Sequence, residues 1–233
     1  MDFSWAEPYP EIHKICNLFQ LSEVSNPVKF SYKSLKVLQQ IGPQCGLVAL
    51  AMCLGRSDRE TVDELYKTAK DKGYTYNGEM FSVQDMFQLA SYFSPKNTYV
   101  KIYEGDMNCK EVQDFLLKGG MVLVPYDTNK DNSPGLLNGH KAHWAVICGA
   151  IKTTDDFYVI ARHGKAKNVN IWKLSHIAKS NKQLLDFAPD QVHQEIEYKL
   201  PEGGISGPDG LNQKCLLINL EKQMTSRPQR EEK

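Results

Sequence analysis

Residues 40–52, Gln40-Ile41-Gly42-Pro43-Gln44-Cys45-Gly46-Leu47-Val48-Ala49-Leu50-Ala51-Met52, place a cysteine where a Gly-Pro turn gives way to an unbroken apolar run. A helix that is apolar on every side has to be buried, so the fold must be assembled around this segment. The first turn of such a helix carries backbone N–H groups with no intrahelical acceptor, and the aligned peptide dipoles add partial positive charge there. Both effects favour thiolate over thiol at Cys45. Gln40, five residues upstream, is placed to donate a hydrogen bond to an oxyanion beside the Cys45 amide. Gly46 is expected to let a ligand approach the backbone closely. Cys53, deeper in the same helix between Met52 and Leu54, is expected to be inert.

A second segment, Gly139-His140-Lys141-Ala142-His143-Trp144-Ala145-Val146, supplies a candidate base. His143 sits at the mouth of an apolar strand, where it can face a helix start on another element. His140 is still in the preceding loop and reads as a loop or substrate-facing histidine. No carboxylate or thiol completes a metal set with these two histidines, so neither metal nor cofactor is expected. An imidazole base needs a third group to orient it. The next strand, Phe157 to Gly164, offers Arg162 and His163. His163 can orient the base by a hydrogen bond or be a strand-end histidine, and Asp186 and Asn181 are alternatives. Lys141, Arg162, Lys165 and Lys167 are either a solvated face or a cleft rim suited to an acidic peptide. Glu79-Met80-Phe81 either lines the opposite wall or forms a hydrophobic staple ahead of Ser82.

Lys+Arg and Asp+Glu are both 28 in 233 residues, so no bulk field argues for nucleic acid or a membrane. None of the six cysteines forms a C-x-x-C pair, and several lie in apolar runs as reduced core thiols do. Met1 to Pro8 lacks the basic-then-apolar order of a signal peptide, and no window holds 18 apolar residues. A cytoplasmic location follows as the expectation. Periodicity predicts an arm over 1–30 with a helix from Glu11 to Leu21. It predicts a Cys45 helix ending near Gly55, a helix over 59–71, a Ser82-capped helix to Tyr92 and a short helix from Asn108 to Leu117. Strands are expected at Tyr99–Tyr103, Met121–Tyr126, Ala142–Ile151, Phe157–Ala161, Val169–Trp172 and Cys215–Leu220. Residues 127–139 read as a long polar loop, 201–213 as a Gly/Pro-rich connection and 223–233 as a charged tail. Helices first and antiparallel strands after make an α+β class.

Several longer stretches carry a resemblance. They are Gly42 to Leu50, Gly78-Glu79-Met80-Phe81-Ser82-Val83-Gln84-Asp85-Met86, Pro125-Tyr126-Asp127, Gly139 to Val146, and Ser180-Asn181-Lys182-Gln183-Leu184-Leu185-Asp186-Phe187-Ala188-Pro189. Over roughly residues 38–220 the chain resembles the actin maturation protease family, in the C39-like branch of papain-fold cysteine peptidases. The resemblance implies a papain-like fold over 31–222, with an N-terminal helical lobe and a C-terminal antiparallel sheet lobe. It implies Cys45 as nucleophile and His143 as base, and removal of the N-acetylated first residue, Met or Cys, ahead of the acidic run of actin. Lys141, Arg162 and Lys165 are then the expected cations for those acids, with Glu79, Met80 and His140 lining the subsite. Actin is the expected partner of a monomer, with no nucleic acid or membrane. The alternatives are another acyl transfer (isopeptide cleavage or transpeptidation) and an inactive actin-binding module.

Overall fold

A computed structural model describes residues 2–188 and 195–220. The expected tail at 223–233 lies outside the described residues. In chain order the elements are α1 (Pro10–Phe19), β1 (Lys29–Tyr32), α2 (Cys45–Cys53), α3 (Arg59–Asp71), α4 (Val83–Phe93), β2 (Tyr99–Glu104) and α5 (Lys110–Leu117). There follow β3 (Met121–Thr128), β4 (Pro134–Gly135), β5 (Ala142–Lys152), β6 (Phe157–Arg162), β7 (Asn170–Lys173), α6 (Leu174–Lys182) and β8 (Lys214–Asn219). The class is α+β, as the sequence predicts.

The strands form one sheet in the order β2-β8-β3-β5-β6-β7, and every pairing is antiparallel. Strand β1 pairs with residues 149–152 of β5. Strand β6 already occupies the other edge of those residues, so β1 lies end to end with β3. The pairing register shifts between Ile147 and Gly149, leaving Cys148 as the extra residue of a bulge. Strand alternation then sends side chains to two different cores. Leu123, Trp144, Val146 and Ile160 pack with α1 to α4. Val124, Ala145, Ile147 and Ala161 pack with α5 and α6 on the opposite face. All eight residues of β3 are buried, as a strand covered on both faces requires.

Helix α2 is the centre of the first layer, and from Gly46 to Cys53 every residue is buried. Gly46 has a different use from the one expected. A Cβ there would meet Met86 Cε at 2.7 Å and Trp144 Cδ1 at 3.1 Å, so the missing side chain lets α2 settle onto Trp144 and α4 rather than onto a ligand. Helix α3 starts where Asp58 accepts the Thr61 N–H at 2.7 Å, and α4 where Ser82 Oγ accepts the Asp85 N–H at 3.0 Å.

Two elements depart from the sequence reading. Residues 1–30 were expected to form an arm, yet Phe3, Ala6, Ile12, Ile15 and Cys16 are buried in the helical core and β1 extends the sheet. Helix α6 occupies a stretch with no assigned element and buries Leu174, Ile177 and Ala178 under β3 and β7. Among the described residues no helix is long and apolar enough to cross a membrane.

Candidate active site

Gly42, at φ +66°, turns the chain so that Cys45 opens α2. Gln44 precedes it as the capping residue, and its Oε1 is held by the Arg59 guanidinium. Gln40 is fixed twice: its backbone N–H donates to the Gly164 carbonyl at 2.9 Å, and its Nε2 donates to the Gly42 carbonyl at 3.0 Å. Gly164 is needed for this approach, since a Cβ there would lie 2.8 Å from Gln40 Cβ. The turn carrying Gln40 and Cys45 is thereby tied to the hairpin that carries His163 and Lys165.

His143 is buried on β5, directly opposite Tyr126 of β3. Its ring is boxed by aromatic neighbours. Tyr126 lies at 5.8 Å and 72°, and His163 at 5.4 Å and 81°. His143 Nε2 is buried with no hydrogen-bond partner among the described residues. Burial holds the imidazole well below the usual histidine range, and the Lys165 charge and His163 add to the effect. Burial and Lys165 likewise push His163 down to about 4.

A cleft of about 620 Å³ brings the candidates together. Gln40, Cys45, His140, Lys141, His143 and Lys165 all line it, and so do Glu79 and Met80. Its apolar wall adds Phe81, Phe187 and Tyr198, whose rings pack against one another at 4.4 to 6.1 Å. Met80 is set by its carbonyl, which accepts the indole N–H of Trp144 at 2.8 Å.

The Cys45 thiol does not follow the helix-terminus argument alone. Burial pushes it up, and the Glu79 carboxylate adds to the rise. The Trp144 and Gly46 backbone N–H groups and Lys165 pull it down without cancelling that rise. Burial therefore favours the neutral thiol at Cys45 and the neutral imidazole at His143 over their charged forms. Cys53 is pushed up to about 12, in keeping with its expected inertness.

The other predicted residues sort differently. Arg162 does not line the cleft. Its side chain is 5% exposed, and its guanidinium is engaged by Glu11 of α1. Strand alternation explains this: Arg162 pairs with Val146 and shares the face that turns toward α1 to α4. Asn181 and Asp186 are occupied away from the base. Asn181 Nδ2 donates to the carbonyls of Pro125, Lys214 and Leu211 at 2.9 to 3.3 Å. Asp186 accepts the Phe187 N–H at 2.8 Å. Of the third-group candidates, His163 sets its ring edge-to-face against the His143 ring.

Sequence reasoning gave no role to Asp127. This fully buried carboxylate accepts the N–H groups of Leu137 (3.0 Å), Gly139 (2.7 Å) and Lys141 (2.9 Å), and the Gln183 amide at 2.6 Å. Gly139, at φ +101°, fits because a Cβ would sit 2.2 Å from the Asp186 carbonyl. The expected loop at 127–139 is therefore short and pinned. Strand β3 runs on to Thr128, β4 folds back on it, and the carboxylate holds the rest in place to present His140 and Lys141. A lone Asp ending an apolar strand before a polar loop is the signal that could have exposed it.

A family model described as "Actin maturation protease-like, C-terminal domain" matches residues 35–151, which include Gln40, Cys45 and His143 and stop before His163. The actin maturation protease of Drosophila melanogaster is 44% identical over 217 residues, covering 93% of this chain and 80% of that protein. The actin maturation protease of Danio rerio is 33% identical, over 81% of this chain and 73% of its own length. That of Homo sapiens is 31% identical, over 79% of this chain and 64% of its own length. With a family model over residues 35–151 and a relative 44% identical over 93% of its length, the chain belongs to the actin maturation protease family.

Proposed function

We propose that this protein is a cysteine peptidase that removes the N-acetylated first residue, Met or Cys, from immature actin. The observation that carries the reading is that Cys45 and Gln40 from one turn and His143 from a distant strand line one cleft with apolar walls and two cationic side chains. The name of the family supports actin as the substrate. The arrangement of a nucleophile helix packed on an antiparallel sheet fits the papain-like, C39-like fold, with the N-terminal segment packed into the same core and the protein acting as a monomer.

The chemistry runs from the neutral pair. His143 takes the thiol proton as Cys45 attacks the carbonyl of the acetylated residue. The Cys45 backbone N–H and Gln40 Nε2 stabilise the oxyanion. Protonated His143 then gives its proton to the departing amine, releasing the shortened chain. A water, deprotonated by His143, hydrolyses the thioester and frees the N-acetyl amino acid. An acetylated terminus carries no ammonium, so no carboxylate anchor is needed. Met80, Phe81 and Phe187 suit the apolar acetyl-residue side, and Lys141 and Lys165 suit the acids that follow. His163 orients the base, while the buried Glu11 pair removes Arg162 from the expected cation set.

The test is mass spectrometry of an acetyl-Met-Asp-Asp-Asp peptide, and of unprocessed actin, incubated with this protein and with Cys45→Ala. Loss of acetyl-Met with the intact protein alone supports the reading. Loss from actin but not from the peptide places specificity in a surface contact. Loss from neither overturns it.

A further inference from the structure

Among the described residues His143 Nε2 is buried and has no hydrogen-bond partner, and Tyr126 and His163 pack edge-to-face against the ring. The orientation of His143 therefore depends on how firmly His163 is held. Lys165 donates its backbone N–H to His163 Nδ1 at 3.3 Å, so Nδ1 must present its lone pair. The proton of the neutral ring is then on Nε2. The side-chain amide of Asn170, at the start of β7, has its Nδ2 position 3.1 Å from that Nε2. A neutral ring cannot accept at both nitrogens, so with Nδ1 taken by the Lys165 N–H we assign the amide oxygen, not its NH₂, to the position facing Nε2. Trp172, two residues on and on the same face of β7, stacks against His163 at 6.1 Å and 19°. The ring is thereby gripped at both nitrogens and on one face.

The geometry points to Asn170 as a positioning residue that fixes the Nε2–H tautomer and the tilt of His163, and through that ring the aim of the His143 base. This rests on the cysteine-peptidase reading above. Asn170 is not among the residues that line the cleft. Its effect reaches the base through a wall of π-electron density instead of a hydrogen-bonded chain. An N–H directed at an aromatic face is a weak but real interaction.

The amide assigned as acceptor gives a sharp test. Asn170→Asp can only accept, and Asn170→Leu can do neither. Both are compared with the intact protein by steady-state kinetics on the acetylated acidic peptide, and by ¹⁵N–¹H NMR of the histidine rings. The expected result is kcat within about threefold of the original for Asn170→Asp, and a fall of about tenfold or more for Asn170→Leu with KM changed less than twofold. The His163 ring should show Nε2–H in the intact protein and in Asn170→Asp, and mixed tautomers in Asn170→Leu. An unchanged kcat in Asn170→Leu overturns the proposal, and so does Asn170→Asp behaving like Asn170→Leu. A His163 proton on Nδ1 in the intact protein also overturns it. If the intact protein cleaves nothing, the peptidase reading fails, while the ring spectra still decide the Asn170 assignment.

Discussion

Replacing Asp127 by Asn removes one charge and almost no volume from the point that holds the cleft's second wall. The carboxylate accepts four N–H groups, three at Oδ2 and one at Oδ1. The better amide orientation keeps Oδ at the threefold position and turns an NH₂ against the Lys141 N–H. One charge-assisted bond is then lost, at about 2 kcal/mol, and three others fall to neutral strength, at about 1 kcal/mol each. A neutral amide is cheaper to bury, by about 2 kcal/mol, which leaves a net destabilisation of about 3 kcal/mol. For a chain of this size that lowers Tm by about 6–12 °C. Thermal unfolding by circular dichroism measures the shift, and native-state hydrogen exchange locates it. The Leu137, Gly139 and Lys141 amides should lose protection most, and activity should fall because His140 and Lys141 line the cleft. A Tm lowered by less than about 2 °C, with those amides as protected as before, would refute the reasoning.

The remaining expectations concern the thiols, the histidines and the N-terminal segment. Alkylation at neutral pH should modify Cys45, which lines the cleft, and spare buried Cys53, Cys148 and Cys215, read by peptide mass mapping. Equal labelling of Cys53 would contradict the placement. The acid limb of kcat/KM should lie below pH 6.5, because burial depresses His143; a limb above 6.5 would show that the base is exposed. His163 is depressed to about 4, so the unfolded chain binds more protons between that pH and 6.5. Its contribution is complete above 6.5 and is lost as pH falls toward 4, amounting to about 3 kcal/mol, measurable as urea stability against pH. Glu11→Ala should cost about 3 kcal/mol, because Arg162 stays buried without its partner and Val169 N–H loses its acceptor. A Tm unchanged in Glu11→Ala would mean that Arg162 reaches solvent.

The parts of the fold that local chemistry dictates were legible in the chain. Helix α3 occupies the expected residues 59–71 because an Asp58 cap and an amphipathic stripe suffice to define it. Helix α4 starts at the Ser82 cap for the same reason. The unbroken apolar run of α2 required burial wherever the chain went, and the Gly42-Pro43 turn set Cys45 at its first residue. The candidate nucleophile, base and Gln40 were therefore readable as residue types at turn and strand starts. Strand β1 and helix α6 were not, because Lys29–Tyr32 and Leu174–Lys182 carry weak local patterns and are stabilised by β5 and by the face of β3 and β7.

The electrostatics were also beyond the sequence. A helix start argues for a thiolate at Cys45, but the thiol is pushed up because the surrounding fold removes water from it. Arg162 and Lys165 read alike as basic residues of one segment, but strand alternation sends Arg162 to Glu11, while Lys165 lies in the turn beyond β6 and lines the cleft. Asp127 and Asn170 looked like ordinary loop and strand polar residues. Their meaning depends on the N–H groups and rings that β5, β6 and α6 bring to them. The sequence by itself determined which groups can react and which helices can form, because those depend on neighbours along the chain. The tertiary structure decided which of those groups meet, which are desolvated and which are already paired, because those depend on neighbours in space.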